Sequence, residues 1–296
     1  MASVQDLKRR IRSVRNTRKI TKAMELVASA RLRRAQQRIE AMRPYADRML
    51  ELIGGVARAS TSVRSIPLLQ RRDVQTVAIV PLTGDRGLAG AFNGQVLRRA
   101  LQLERELRAE GKDVRWLVSG KKGRSTLTFR RYDVMTAWTG FSDRPEYADA
   151  QAMAHRLTEL FVDGEVDSVR VVYNQYVSPL VQKVTVQEVL PIEEHLLETD
   201  EDERRADALR GDFIFEPEPE EILARLVPVY LETELYRALL ESAASEQGAR
   251  MTAMRNASKN AAELIDSLTL AMNRARQAAI TQELLEVVAG ADALEG

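Results

Sequence analysis

The chain has 296 residues, of which 29% are charged and only 5% aromatic, and its net charge is +1. That balance gives no global attraction to nucleic acid or membrane, and the lack of any cysteine excludes disulfides, thiol catalysis and cysteine-held metals. No apolar run approaches the ~20 residues that span a bilayer, and the N-terminus, charged from Asp6 and Lys8 onward, lacks a signal core. A soluble protein that works where it is made is the expectation.

Residues 2–58 read as one helix, with Ser3 as N-cap. Its apolar positions are Val4, Leu7, Ile11 and Val14. After a polar gap at Arg18, Thr21 and Glu25 they resume in the same register at Ala28, Leu32, Ala35, Ile39, Met42, Ala46, Met49, Ile53 and Val56. Alternating steps of three and four are a heptad seam and imply a left-handed supercoil with a second helix. Pro44 should kink the helix or interrupt its hydrogen-bond ladder, and Gly54 with Gly55 weakens its end. The helix is heavily basic, with Lys8, Arg12, Arg15, Arg18, Lys19, Lys22, Arg31, Arg34 and Arg38 among its cations. They are spread around the helix with few aromatics between them. A solvated face or an acidic protein partner fits this better than nucleic acid, although a nucleic-acid binder remains an alternative. Residues 59–74 read as a linker.

The middle changes period. TVAIV at 76–80 reads as a buried strand, followed by a glycine loop at 84–90 and a helix over 94–110. Strands are expected at 114–118, 132–137, 168–173 and 181–190, with a loop at 120–123 and a helix at 148–162. Strand–helix–strand order implies a mostly parallel sheet; the last two strands are close enough to pair as a hairpin near Pro179. The glycine loop invites a phosphate-binding reading, and a nucleotide-binding α/β enzyme is a further alternative. Its G-x-x-G-x-x-G spacing, however, matches neither the dinucleotide nor the P-loop pattern, so a structural turn is expected. His155 and His195 are the only histidines and have no second ligand at metal spacing. No catalytic constellation, cofactor site or metal site is expected.

Residues 191–221 form an acidic, proline-containing stretch, expected to be irregular and exposed. A last helix should begin at Pro219 or restart at Pro228. Read in sevens, Met254, Ala261, Leu268 and Ala275 fall on one position, and Ala257, Leu264, Ala271 and Ala278 three residues later. The end of the chain is apolar on most sides, and such a helix must be enclosed by something. The expected class is α/β: a long antiparallel coiled coil of the N- and C-terminal helices plus a central Rossmann-like sheet domain with helices on its faces. The expected divisions are 1–58, 75–190, 191–221 and 222–296.

Three segments, in this order along the chain, resemble the gamma subunit of the F-type rotary ATP synthase: KITKAMELVASARLRRA at 19–35, GDRGLAGAFN at 84–93 and ITQELLEVVAGA at 280–291. The family commonly has Ser where Gly84 stands and often Cys where Ala89 stands. The resemblance implies a non-catalytic rotor shaft that couples turning of a membrane c-ring to sequential changes in the catalytic beta subunits. It implies alpha, beta and epsilon subunits and the c-ring as partners, no nucleic acid, and a peripheral place on the cytoplasmic face of a bacterial membrane. By the same resemblance Met24, Arg276, Gln277, Thr281 and Glu283 contact the beta subunits. Ile280, Leu284, Leu285 and Val288 form a tip held in a bearing, and Tyr230, Glu232 and Glu234 lie on the c-ring side.

Overall fold

In a computed structural model the described residues are 3–59, 66–179, 181–192 and 217–295. Most of the acidic stretch, and with it His195, lies outside them. The chain divides into two compact units, one made of 1–28 with 251–296 and the other of 29–250.

Helix α1 covers Val4–Ala59 and holds Pro44 within it, and helix α5 covers Pro219–Glu295 and holds Pro228 within it. Neither proline ends its helix. Proline removes one ladder hydrogen bond, and the burial of Met49, Ile53 and Val56 beyond Pro44, and of Leu231 and Leu235 beyond Pro228, outweighs that loss. Packing likewise carries α1 through Gly54, which is itself buried.

The 29–250 unit is built on a five-stranded sheet. Its strands are β1 Thr76–Pro81, β2 Asp113–Ser119, β3 Val134–Trp138, β4 Ser168–Tyr176 and β5 Gln182–Leu190. They lie in the order β3-β2-β1-β4-β5, with the first four parallel and β5 antiparallel to β4. Helices α2 Phe92–Ala109, α3 Lys121–Phe129 and α4 Tyr147–Val162 make the connections. The continuous apolar run of β1 follows from cover on both faces. Val77 and Ile79 join one core with Val96, Leu107 and Val118. Ala78 and Val80 join the other with Leu157 and Phe161 of α4, Ile53 of α1 and Leu231 of α5. Helix α3 stands where the sequence suggested only a loop. It buries just Gly123 and Leu127, too few positions to leave a helical period. Strand β3 begins at Val134, later than expected, because Arg131 takes a left-handed turn at φ 63°.

In the other unit the N-terminal seam keeps the register read from the sequence. Leu7, Ile11 and Ala28 are buried, and so are Thr21 and Glu25 of the polar gap. The C-terminal seam is shifted. Met254, Ala261 and Ile265 are buried, and Ser258, Leu268, Met272 and Ala275 are half-buried. Leu264, Ala271 and Ala278 are exposed. The steps of three and four are real, but after Ala261 and Leu268 the second member lies four residues on, at Ile265 and Met272, while after Met254 both Ala257 and Ser258 are half-buried. Leu264 and Ile265 are both apolar, and only packing chooses between them.

Candidate functional site

The polar gap in the N-terminal seam is closed from within its own unit. Arg255 Nε donates to Glu25 Oε1 at 3.1 Å, and Lys22 Nζ donates to Oε2 at 3.0 Å. Lys22 first, then Arg255, hold the Glu25 carboxyl below the usual range against the opposing effect of burial. A carboxylate can sit in this seam because two cations meet it there. Met24 beside it is half-buried.

Toward the C-terminus the packing stops. Every side chain from Arg276 to Ala289 is exposed, which includes Gln277, Thr281 and Glu283. Ile280 is 49% exposed, Leu284 61%, Leu285 64% and Val288 56%. Four large apolar side chains so open to water on one helix form an exposed apolar patch at this end of the chain. Thr281 Oγ1 donates to the Gln277 carbonyl at 3.0 Å, an intrahelical bond that leaves the outer face free.

The three residues assigned to the ring side are placed differently. Tyr230 and Glu234 are buried and Glu232 is half-buried. Glu232 accepts from Tyr147 Oη at 2.7 Å, and Glu234 accepts from Gln187 Nε2 at 2.8 Å and from Arg237 at 2.6 Å.

The glycine loop faces a protein carboxylate. A Cβ on Gly84 would stand 2.9 Å from the Glu246 carboxylate, itself paired with Arg250 at 2.5 Å. Burial pushes the Glu246 carboxyl up, with Arg250 opposing. Asp85 accepts from the amides of Lys121 at 3.0 Å, Gly140 at 2.8 Å and Ser142 at 3.1 Å. Of the loop's own amides, Gly84 donates to Asn93 Oδ1 at 2.8 Å and Asp85 to Ser142 Oγ at 2.8 Å, and the Glu246 carboxylate lies against Gly84. The loop thus packs on the chain's own polar groups, and a polar line of Glu234, Glu241, Ser245, Glu246 and Arg250 runs along α5. Its signal in the sequence was acids and arginines inside an otherwise apolar stretch. Among the described residues no group of acids and histidines is placed to hold a metal, and no helix is long and apolar enough to cross a membrane. His155 is exposed, 3.2 Å from Glu159.

A family model described as ATP synthase matches residues 3–294. The ATP synthase gamma chain of Rubrobacter xylanophilus is 46% identical over 294 residues, covering 99% of both chains. That of a Synechococcus species is 44% identical over 316 residues, covering 100% of both. The chain belongs to the ATP synthase gamma-chain family. Among solved structures, the central stalk and c-ring assembly of the Tetrahymena thermophila mitochondrial ATP synthase contains a chain 27% identical, with a TM-score of 0.59. The alignment covers 81% of this chain and 99% of that one. A chain of the Euglena gracilis mitochondrial enzyme, at 18% identity, shares the fold with a TM-score of 0.67 over 98% of this chain and 94% of its own.

Proposed function

We propose that this gamma chain is the central rotor shaft of an F-type, proton-translocating ATP synthase, without an active site of its own. It couples rotation of a membrane c-ring to the sequential states of the catalytic beta subunits. The observation that carries this reading is the exposed apolar helix at 280–288 in a chain that matches gamma chains end to end. In this reading α1 and α5 wind into an antiparallel coiled coil. The divisions are a coiled-coil arm at 1–58, an α/β body at 75–190, an acidic variable segment at 191–221 and a second arm with the tip at 222–296.

Ile280, Leu284, Leu285 and Val288 turn inside a sleeve formed by alpha and beta subunits. Dispersion contacts have little directionality, so an apolar tip can rotate without locking at one angle. Arg276, Gln277, Thr281 and Glu283 supply the directional contacts to beta subunits, with Met24 as a further contact. Moving a site from 1:99 to 99:1 needs ~5.5 kcal/mol of differential contact. Two or three charge-assisted hydrogen bonds at ~1.5–3 kcal/mol each reach that range. The epsilon subunit and the c-ring bind the other end, near Tyr230, Glu232 and Glu234. Glu232 offers the more open of the two carboxylates, while Tyr230 and Glu234 shape the surface from beneath. The chain meets the membrane only through the complex, at the cytoplasmic face.

Reconstitution tests this. The purified chain should show no ATPase activity, and adding it to alpha and beta subunits should raise their steady-state ATPase rate. Turnover by the chain alone at the rate of the complex would overturn the proposal.

A further inference from the structure

In the 29–250 unit a cleft with a volume of 390 Å³ opens beside α1 and the segment leading into α4. Four arginines line it: Arg31, Arg34, Arg38 and Arg144. The first three are spaced by three and four residues and share one face of α1. Among the described residues Asp143 is the one carboxylate in the lining, and Arg31 Nη1 donates to it at 2.5 Å. The guanidinium groups of Arg34, Arg38 and Arg144 have no ion pair or hydrogen bond among the described residues. Alanine, proline and leucine side chains make the rest of the lining. Three uncompensated cations therefore converge on a concave surface with apolar walls, where field lines concentrate and a counter-charge is favoured.

We propose that this cleft binds one multivalent phosphate anion. Arginine stays charged at any physiological pH, and its planar fork matches the oxygens of a phosphate in pairs. Three unpaired guanidiniums suit a pyrophosphate unit, free or as part of a nucleotide's phosphate chain, better than a single carboxylate. The cleft volume suits a small anion and is too small for a folded protein segment. Arg31, fixed by Asp143, leaves the other three free to close on the ligand. Occupancy would cancel positive charge on α1 and weaken its attraction to acidic surfaces.

The probe is magnesium-free sodium pyrophosphate, titrated calorimetrically into the full chain at low ionic strength. One saturable site is expected. Arg34→Gln with Arg38→Gln should weaken it by about tenfold or more, since charge-assisted bonds are lost, and Arg144→Gln should weaken it in the same direction. A control, Arg12→Gln with Arg15→Gln, removes equal charge from the other unit and should change the affinity by less than about twofold. Circular dichroism verifies that each variant is folded, as expected for side chains without partners. Absence of saturable binding, or an equal loss in the control, would overturn the proposal.

Discussion

Ile265→Ala and Leu264→Ala differ by one position and should differ several-fold in cost. Ile265 is 8% exposed and Leu264 47% exposed. Each substitution removes three carbon atoms, worth about 0.8 kcal/mol apiece when fully buried. For Ile265 that gives about 2 kcal/mol, and a cavity left in the seam raises it to about 2–4 kcal/mol. Alanine's better helix propensity returns about 0.4 kcal/mol. For Leu264 only about half the transfer term applies and no cavity forms, so the cost is about 1 kcal/mol or less. Urea unfolding of the full chain, followed by far-ultraviolet circular dichroism, reads both. A Leu264→Ala cost equal to or above that of Ile265→Ala would refute the register described above and restore the one suggested by counting in sevens.

Gly120→Ala should fail to give a stably folded chain. Gly120 has φ 95°, and a Cβ there would stand 2.0 Å from the Thr83 carbonyl oxygen, so a soluble variant with unchanged melting would be contrary evidence. Glu25 makes the 1–28 and 251–296 unit acid-sensitive. Its carboxyl lies below the usual range in the folded chain, so its contribution is present above the unfolded value of 4.5 and lost as pH falls through the folded value. Glu25→Gln should therefore flatten the melting temperature against pH on the acid side, and an unaltered profile would count against the pairing with Lys22 and Arg255. Glu241 works in the opposite sense, because burial raises its carboxyl with Arg237 opposing. Its neutral form is favoured below 4.5 and that advantage fades as pH rises through the folded value, so Glu241→Gln should flatten the neutral side of the same profile. Arg276→Ala with Gln277→Ala should lower the torque or ATPase rate of the reconstituted complex without lowering the melting point of the chain, since both side chains are exposed; unchanged rotation would remove them from the contact set.

The α/β class and the parallel sheet closed by a hairpin could be read because strands buried on both faces leave uninterrupted runs such as TVAIV, and because Gly111 and Gly164 mark helix ends. The N-terminal seam could be read because its small and large apolar residues keep strict spacing. Where two neighbours are both apolar, as at Leu264 and Ile265, the sequence carries no information about which faces inward. Helix α3 was hidden because Lys121, Lys122 and Arg124 face water and only Leu127 anchors it in the core. Thr21 and Glu25 looked like a break because a buried acid reads as surface until its cation, Arg255, is found 230 positions away in the chain. The apolar tip was legible because nothing local could cover it, and in the folded chain it is open. The burial of Tyr230 and Glu234 is not legible in the sequence; Gln187, which donates to Glu234, stands 47 positions away.

The most direct test follows the motion itself. Since the chain has no cysteine, Thr128→Cys on the exposed end of α3 accepts a single bead or dye once the chain is assembled with cysteine-free alpha and beta subunits. With ATP, the label should turn in one direction in discrete steps, and the turning should stop when the residues beyond Arg276 are removed. A label that stays fixed while the assembled head hydrolyses ATP at full rate would contradict the account.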